Sequence, residues 1–423
     1  MEWAHLLSTT RLGKSTNAGS ATPGNIRSEF NKDYGRVLYS SAFRRLQDKT
    51  QVFPLGRNDY VRTRMTHSLE VANVGRTLAQ KLHTVICDHG EEALPDLEAM
   101  VDIVATVCLA HDIGNPPFGH SGEDAITAAL KGTRFEGYRF EGNAQGFRLL
   151  SRICDPIHDR GLDLTAATLA AFAKYPCTVI DKQGHYKKHG IAEEEAPLFS
   201  QVAQLCRLRS LAPTGHVWAR HPLALLMEAA DDISYLIADV EDAFFSKIIS
   251  YDRCVHMLAA MSHNFDTNRP ASTPHEQASR VHLARALAVS ACIERVADVL
   301  STHYHSIMQG SFEGSLMSHT SCYLDYEQVK KDSVTYIYNH ESVTRIEIAG
   351  YAVLGGLLDI YMQWVTSPDS ALGRKIGAIL HPPADTADEH ARFLHIIDYL
   401  SGMTDSFALH TYTTLTGRSG LTV

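Results

Sequence analysis

The chain has 423 residues and a net charge of −9, with 44% hydrophobic and 21% charged residues. These are ordinary values for a globular protein, and the negative balance excludes a protein that coats nucleic acid through its overall field. The length corresponds to two or three domains, although one large helical domain is equally compatible with it.

The sequence also indicates the cellular compartment. Its eight cysteines are scattered, no two are spaced CxxC, and several lie in apolar runs, which favours buried thiols in a reducing cytosol. The opening stretch MEWAHLLSTTRLGK has no apolar signal region, and no run reaches the length of a membrane span. We therefore expect a cytoplasmic protein. The 23 histidines raise the chance of a metal site without locating it.

Residues 1–26 are predicted to form an N-terminal arm. A short amphipathic piece at residues 3–7 precedes TNAGSATPGN, whose small and polar residues predict a loop. From residue 27 to residue 53 the spacing of apolar residues becomes helical, and Gln51 lies where that pattern ends.

Arg64 and His67 lie on the next predicted helix, within RTRMTHSLEV. They are three residues apart and therefore share a helix face. An isolated histidine on such a helix is more often structural than a ligand, so His67 needs partners from other segments to act as one.

The stretch AHDIGNPPFGHSGED follows an apolar helix predicted over residues 96–110. Its Gly-Asn-Pro-Pro cannot continue a helix, so His111 and Asp112 lie at a buried helix end. Adjacent side chains do not face each other on a helix, but these two can reach one point beyond its end. Imidazole and carboxylate groups bind hard or borderline divalent metals. The further ligands that such a metal needs could come from His67 and Asp231.

His120 and Glu123 form a second candidate pair in the same stretch. They are three residues apart at the start of the next predicted helix, so the carboxylate can hold the imidazole. A neighbouring carboxylate favours the protonated imidazole, which a general acid requires. The alternative is structural, with Ser121 or Glu123 capping the helix N-terminus.

Two lysines follow in the middle of the chain. A helix is expected over residues 141–155, and LTAATLAAFAKYPC then carries Lys174 and Tyr175 up to a proline that stops the helix. Lys174 alone could equally be a lysine that the helix macrodipole favours. Residues 181–197 are predicted to form a polar loop, and they include Lys188.

Asp231, Tyr235 and Asp239 fall at positions i, i+4 and i+8 of an otherwise apolar helix predicted over residues 221–245. They therefore form one line down one helix face. Buried carboxylates are costly unless they are paired or bind a metal. This line predicts a functional surface inside the protein.

The C-terminal half gives weaker signals. Glu241 and Asp242 are expected to be solvated. The remaining elements are a polar loop at residues 264–276, long helices at about 277–305 and 340–365, and a closing helix pair broken at Ser401-Gly402. No strand-rich region or repeat stands out, so the expected fold class is all-α. We divide the chain into an arm (1–26), a catalytic core (27–250) and a C-terminal helical region packed on the core (251–423).

Six runs of the sequence together resemble one family. They are FRRLQDKTQVFP, RTRMTHSLEV, AHDIGNPPFGHSGED, KYP, MEAADDISYLIADVEDA and DYLSGMTD, spread from about residue 27 to residue 417. They are similar to runs of the bacterial deoxyguanosine triphosphate triphosphohydrolases, or dGTPases, of the HD superfamily. The resemblance implies an all-α HD-domain fold with additional N- and C-terminal helices. It implies hydrolysis of dGTP, or of several dNTPs, to a deoxynucleoside and inorganic triphosphate.

The resemblance also implies a metal and an acid. One divalent ion, Mg²⁺ or Mn²⁺ before Co²⁺, Ni²⁺ or Fe, would be held by His67, His111, Asp112 and Asp231. His120, oriented by Glu123, would protonate the departing 5′-oxygen.

The implied substrate contacts divide between phosphates and sugar. The triphosphate would meet Arg64, Lys174, Tyr175 and Lys188. The deoxyribose would meet Gln51, Val52, Tyr235 and Asp239. Glu347 and Arg392 could approach the base.

The resemblance implies a homo-oligomer, a hexamer or a tetramer, with single-stranded DNA as a further ligand and no membrane partner. One alternative is another HD phosphohydrolase that acts on a monophosphate or a cyclic nucleotide. The cations Arg64, Lys174 and Lys188 argue against it, because they exceed what one phosphate needs. A second alternative is a nucleotide- or nucleic-acid-binding regulator, which would not need the pair of His120 and Glu123.

Overall fold

The computed structural model describes residues 1–12, 27–53, 60–91, 93–154, 161–182, 184–262, 265–383 and 388–418. The predicted loop TNAGSATPGN in the arm lies outside these residues. Within them the chain is all-α, as predicted, and its only β-structure is four isolated bridges.

The described residues form seventeen α-helices. In chain order they are α1 Trp3–Leu6, α2 Glu29–Leu38, α3 Ser41–Arg45, α4 Arg64–Asp88, α5 Leu97–Ala110, α6 Gly119–Ala129, α7 Gly142–Arg148, α8 Ala166–Phe172, α9 Ala196–Leu205, α10 Pro222–Phe245, α11 Tyr251–Met261, α12 Pro274–Gln309, α13 Tyr323–Ser333, α14 Glu341–Thr366, α15 Ala371–Leu380, α16 Glu389–Ser401 and α17 Asp405–Leu415. Short 3₁₀ or π segments occupy Leu46–Asp48, Leu149–Ile153, Glu193–Glu195, Met317–His319 and Val334–Tyr338.

The helix expected over residues 27–53 is divided in the structure. Ser28 and Ser40 each accept a hydrogen bond from the backbone N–H three residues further on, and so they cap α2 and α3 separately. Serine is a strong N-cap residue, and a cap in the middle of a helical pattern ends one helix and begins the next. Helix α9 begins at Ala196, so only the last two residues of the expected loop at 181–197 lie in this α-helix, and Pro197 lies in the first turn, where proline is favoured.

The main core is built around α5. Its run VDIVATVCLA offers no polar face, and its side chains are buried against α4, α2, α8 and α10. Helix α4 approaches α5 closely at Gly75, where an added Cβ would lie 2.6 Å from the Cys108 sulfur. This close packing brings the first turn of α4 and the last turn of α5 together. The eight cysteines are all free thiols.

A second buried cluster joins α6 to the C-terminal helices α14–α17 and includes Phe393 and Leu357. By length and composition alone, α14 is the one described helix that could cross a membrane, with 44% of its most apolar window buried. This differs from the expectation that no run is long enough. The second half of α14 packs in the cluster, as a core helix of a soluble protein does.

The expectation that Glu241 and Asp242 are solvated is wrong. Both are 3% exposed, and both pair with Arg62, whose Nη2 lies 2.5 Å from a Glu241 carboxylate oxygen. The Arg62 backbone N–H also donates to Asp242. The residue that neutralises them lies far away in sequence, just before α4, and the helix pattern of α10 gives no sign of it.

Candidate active site

The four expected metal ligands come from three helices. His67 lies in the first turn of α4, His111 and Asp112 follow the end of α5, and Asp231 lies in the middle of α10. The nearest Asp231 oxygen lies 3.2 Å from Nε2 of His67 and 3.5 Å from Nε2 of His111. His67, His111 and Asp112 each offer one atom within 4.8 Å of the others. Two long core helices and one helix end thus aim their polar atoms at a common point.

The chemistry of these atoms fits a divalent metal. Nδ1 of His111 lies 2.7 Å from the Cys108 carbonyl oxygen, while its Nε2 is buried without a hydrogen-bond partner. A ring fixed at one nitrogen presents the other as a ligand. Burial lowers the pKa of His111, but Asp112 and Asp231 outweigh it and raise the pKa to about 9. A metal ion would compete with that proton for the same nitrogen.

Asp112 is held from both sides. Arg64 donates to one carboxylate oxygen at 2.9 Å, and the Asn115 amide donates to the other at 2.5 Å. Burial raises the pKa of Asp112, and the charges of Arg64, His111 and His67 together outweigh this, so the net shift is downward. Arg64 therefore contacts an expected ligand, in addition to lining the cavity beside it. The sequence pattern did not indicate this contact or Asn115.

His120 and Glu123 form the expected pair. Nδ1 of His120 lies 2.9 Å from one Glu123 oxygen, and the other oxygen accepts from the Gly142 N–H at 2.7 Å. Burial raises the pKa of Glu123, but the hydrogen bond and charge of His120, the charge of Lys188 and the Gly142 N–H together lower the pKa below its usual value. The capping alternative fails, because α6 begins at Gly119 and its N-cap residue Phe118 makes no side-chain cap. The arrangement leaves Nε2 of the exposed His120 ring for proton donation.

A cavity of about 530 Å³ opens in front of these groups. All the site residues expected from the sequence line it except His67 and Glu123, which stand directly behind Asp231 and His120. The expected base candidates differ, since Glu347 lines the cavity and Arg392 does not.

One wall of the cavity carries the expected cations. Lys174 lies 3.7 Å from a Glu228 carboxylate oxygen, and Lys188 lies 3.3 Å from one of Glu141. Burial lowers the pKa of each lysine, but the paired carboxylate and the other anionic groups nearby together outweigh burial, so the net pKa is above its usual value. Both ammonium groups therefore stay charged beside Tyr175 and can donate hydrogen bonds to an anionic ligand.

A second part of the cavity lining carries the expected sugar contacts. Asp239 is 2% exposed and accepts a hydrogen bond from the Tyr338 hydroxyl at 2.7 Å. Burial is the main cause that raises the pKa of Asp239 to about 8. The Gln51 amide oxygen is buried without a partner, a state that favours a ligand contact. Val52 and Tyr235 complete this part of the lining.

Besides Asn115, sequence reasoning missed four residues that line the cavity or hold its walls. Asn143 and Tyr338 line it, and Lys49 and Asp405 lie behind it. Asn143 belongs to the polar run FEGN just before an apolar helix, which is a usable signal. Tyr338 and Asp405 reach the site only through the fold of the C-terminal helices.

Comparison with known proteins agrees with this geometry. The HD domain family matches residues 64–171, and the phosphohydrolase-associated domain family matches residues 319–414. A Synechocystis protein named deoxyguanosinetriphosphate triphosphohydrolase-like protein is 38% identical over 99% of this chain and 100% of its own length. A Pseudomonas aeruginosa protein of the same name is 36% identical over 99% of both chains. A Yersinia enterocolitica protein named deoxyguanosinetriphosphate triphosphohydrolase is 31% identical over 90% of this chain and 92% of its own.

Proposed function

The chain belongs to the HD-domain family of deoxyguanosinetriphosphate triphosphohydrolase-like proteins, and we propose that it hydrolyses dGTP, with other dNTPs as weaker substrates. The products are a deoxynucleoside and inorganic triphosphate. One observation carries the proposal. A single cavity joins the buried His/Asp cluster, the pair of His120 and Glu123, the two lysines and the polar side chains expected to contact the sugar.

We propose a divalent metal, Mg²⁺ or Mn²⁺, held by His67, His111, Asp112 and Asp231. Such an ion supplies Lewis acidity toward the α-phosphate and lowers the pKa of a bound water. The family's HD domain and the orphaned Nε2 of His111 support the metal, and Co²⁺, Ni²⁺ or Fe would satisfy the same ligands.

His120 serves as the general acid in this proposal. Water adds its oxygen to the α-phosphorus, the bond to the 5′-oxygen breaks, and that oxygen takes the proton from Nε2 of His120. Glu123 holds Nδ1 and so fixes the ring toward the cavity. The second Glu123 contact, to the backbone of Gly142, keeps the carboxylate itself from rotating.

The triphosphate lies against Arg64, Lys174, Tyr175 and Lys188. A triphosphate cannot approach the carboxylates of the metal cluster unless its charge is matched. Each lysine is held beside one carboxylate, and this pairing places an ammonium group at the cavity wall before substrate arrives.

The deoxyribose lies against Gln51, Val52, Tyr235 and Asp239. Gln51 and Asp239 offer polar atoms to the 3′-hydroxyl. The ring of Tyr235 lies one helical turn from Asp231 on the same face of α10, so it faces the sugar when the phosphates face the metal ligands. A ring against C2′ leaves no room for a ribose 2′-hydroxyl.

The preference for guanine rests on Glu347. It lies in the cavity beyond Tyr338, next to Val343 and Ile346. A carboxylate accepts two hydrogen bonds side by side, and guanine offers the adjacent N1–H and N2–H donors that match it.

We also propose that the protein assembles into a homo-oligomer, a hexamer or a tetramer, in the cytoplasm. The exposed apolar side chains of Leu324, Ile348 and Tyr351 support an interface on the C-terminal half. Light scattering after size exclusion measures the assembly, and a monomer at micromolar concentration contradicts it. Binding of single-stranded DNA and the three-part division of the chain stay predictions.

The test is turnover of the four dNTPs and of GTP with Mg²⁺ or Mn²⁺, with products resolved by anion-exchange chromatography. Triphosphate release that is fastest from dGTP is the expected result. Similar release from all four dNTPs would overturn the guanine preference but keep the reaction. Absence of triphosphate under every metal, including with dNTP mixtures, would overturn the reaction itself.

A further inference from the structure

The segment SGMTDS, residues 401–406, packs behind the loops that border the cavity. It connects α16 to α17, and it lies about 350 residues from one loop it touches and about 285 from the other. Its polar groups contact two loops next to residues of the proposed site, one next to the sugar contact Gln51 and the other next to the general acid His120. These loops are the one at residues 48–51, which ends in Gln51, and the one at residues 115–118, which ends just before His120.

The Asp405 carboxylate holds both loops at once. One oxygen accepts from the Thr50 N–H at 2.9 Å, and the other accepts from the Phe118 N–H at 2.9 Å. Asp405 is 8% exposed, so water cannot replace these bonds easily. Thr50 precedes Gln51, and Phe118 lies two residues before His120.

Lys49, in the first loop, also connects the other loop to the segment at residues 401–406. Its ammonium group donates to the Asn115 carbonyl at 2.6 Å and to the Ser401 carbonyl at 2.8 Å. The outer end of the segment is tied by Ser406, whose hydroxyl donates to Asp48 at 2.9 Å. The three segments therefore form one hydrogen-bonded unit.

The conformation of the loop at Phe118 is unfavourable by itself and requires contacts from other parts of the chain. Phe118 adopts a φ of 63°, a left-handed conformation that residues other than glycine rarely take, and Gly119 follows with a φ of 62°. An added Cβ at Gly119 would lie 2.6 Å from Nη2 of Arg64. The start of α6 is thus strained and closely packed, and no side chain of its own caps it.

We propose that Asp405 is a positioning residue that fixes Gln51 and His120 relative to each other, and so couples recognition of the sugar 3′-hydroxyl to proton donation. The inference rests on the proposed function, because it needs Gln51 at the sugar and His120 at the leaving oxygen. Asp405 itself does not line the cavity.

The test compares dGTP with 2′,3′-dideoxy-GTP, which lacks the 3′-hydroxyl. Asp405→Asn replaces one acceptor by an amide donor that faces a backbone N–H, so one loop is released. We expect kcat for dGTP to fall about 10²-fold, the scale of a small misplacement of reacting groups. We expect the ratio of kcat/KM between dGTP and the dideoxy substrate to fall toward one, with metal content unchanged.

The ratio separates positioning from stability. A variant that merely unfolds in part loses active enzyme equally for both substrates and keeps the wild-type ratio. Thr404→Ala is the matched control, because Thr404 caps α17 one residue earlier and touches neither loop. It should lower the melting temperature and leave the ratio unchanged.

A wild-type ratio in folded Asp405→Asn would overturn the inference. If that variant does not fold, Asp405→Glu, which keeps both acceptor oxygens but displaces them by one methylene, takes its place under the same criterion. Wild-type protein in the same assay separates the two claims, since absence of triphosphate there overturns the proposed function instead.

Discussion

The two ends of the cavity are built in different ways. At the metal end, histidine and aspartate side chains project from the long core helices α4, α5 and α10 and meet directly. At the end proposed for the sugar and base, Tyr338 and Glu347 come from the C-terminal half and line the cavity, while Asp405 lies behind it. Tyr338 bonds to Asp239, 99 positions away, and Asp405 bonds to Thr50, 355 positions away. The first end depends on the core packing of three helices, and the second depends on how the C-terminal helices dock.

This difference has a functional consequence. The metal end is fixed by the same apolar contacts that stabilise the fold, so it is preorganised for the demanding chemistry. The other end is held by a few hydrogen bonds to backbone groups, and small changes there can alter substrate choice without loss of the fold.

The strongest way to break the metal end is Asp231→Ala. The variant leaves two imidazoles without the carboxylate that lies between them, and we expect loss of metal retention and of turnover while the helical content stays the same. Metal analysis after gel filtration measures retention. Asp232→Ala is the matched control, since Asp232 lies next to Asp231 but contacts neither histidine in the structure. Full metal occupancy in Asp231→Ala would remove it from the ligand set.

His120→Ala tests whether His120, which lies beside the proposed metal end, is the general acid of the reaction. The ring is exposed toward the cavity, so its removal should leave the fold and metal content intact. We expect kcat to fall about 10²–10⁴-fold, the usual contribution of general acid–base groups. Single-turnover rates with bound metal measure it. Glu123→Gln should give a smaller loss, and a wild-type rate in His120→Ala would exclude it from the mechanism.

Tyr235→Ala moves the comparison to the sugar end. Its ring lies next to the Tyr326 phenol and faces the cavity, so its loss should open space at C2′. We expect discrimination between dGTP and GTP, measured as the ratio of kcat/KM, to fall about 10-fold or more. Tyr235→Phe keeps the ring and should keep the ratio. Equal rates for GTP and dGTP in the wild type would contradict the steric role at once.

Glu347→Gln tests the base end. The amide keeps one acceptor but places a donor against the guanine donors, so kcat/KM for dGTP should fall about 10-fold. The value for dTTP should change less, because thymine lacks an amino group there. Glu341→Gln is the control on the same helix, since Glu341 contacts only solvent and Arg345. An unchanged order of the four dNTPs would place the base elsewhere.

The sequence singled out the residues of the proposed metal end for a physical reason. Asp231 and Asp239 interrupt an apolar helix, and His111-Asp112 ends another, so each polar side chain stands out locally as a group that needs a partner. The helices α5 and α10 and the closing pair α16 and α17 were confirmed close to their predicted bounds.

The other end could not be predicted in the same way. Asp405 accepts only from backbone N–H groups, which every residue has, so nothing in the sequence marks Thr50 or Phe118 as its partners. The residue at which α6 begins has no marker in the sequence either, because its N-cap Phe118 is in the left-handed region and carries no side-chain cap. The pairing of Arg62 with Glu241 could not be predicted either, because the two residues are 179 positions apart and no local pattern connects them.

Helix α10 carries both Asp231 and Asp239, so its stability bears on both ends, and His221 at its N-cap gives a pH-dependent test. Nδ1 of His221 accepts from the Leu223 N–H, Nε2 faces the Leu6 carbonyl, and burial lowers the pKa of the ring to about 4. In the unfolded chain the ring has a pKa near 6.5, so between pH 6.5 and 4 unfolding takes up a proton. The free energy of unfolding therefore decreases as the pH is lowered through this range. The slope is at most about 1.4 kcal/mol per pH unit. His221→Asn keeps a cap acceptor but does not titrate, and denaturant melts at pH 7 and pH 5 should show a smaller loss for it than for the wild type. Equal losses would show that this ring is already charged in the folded protein.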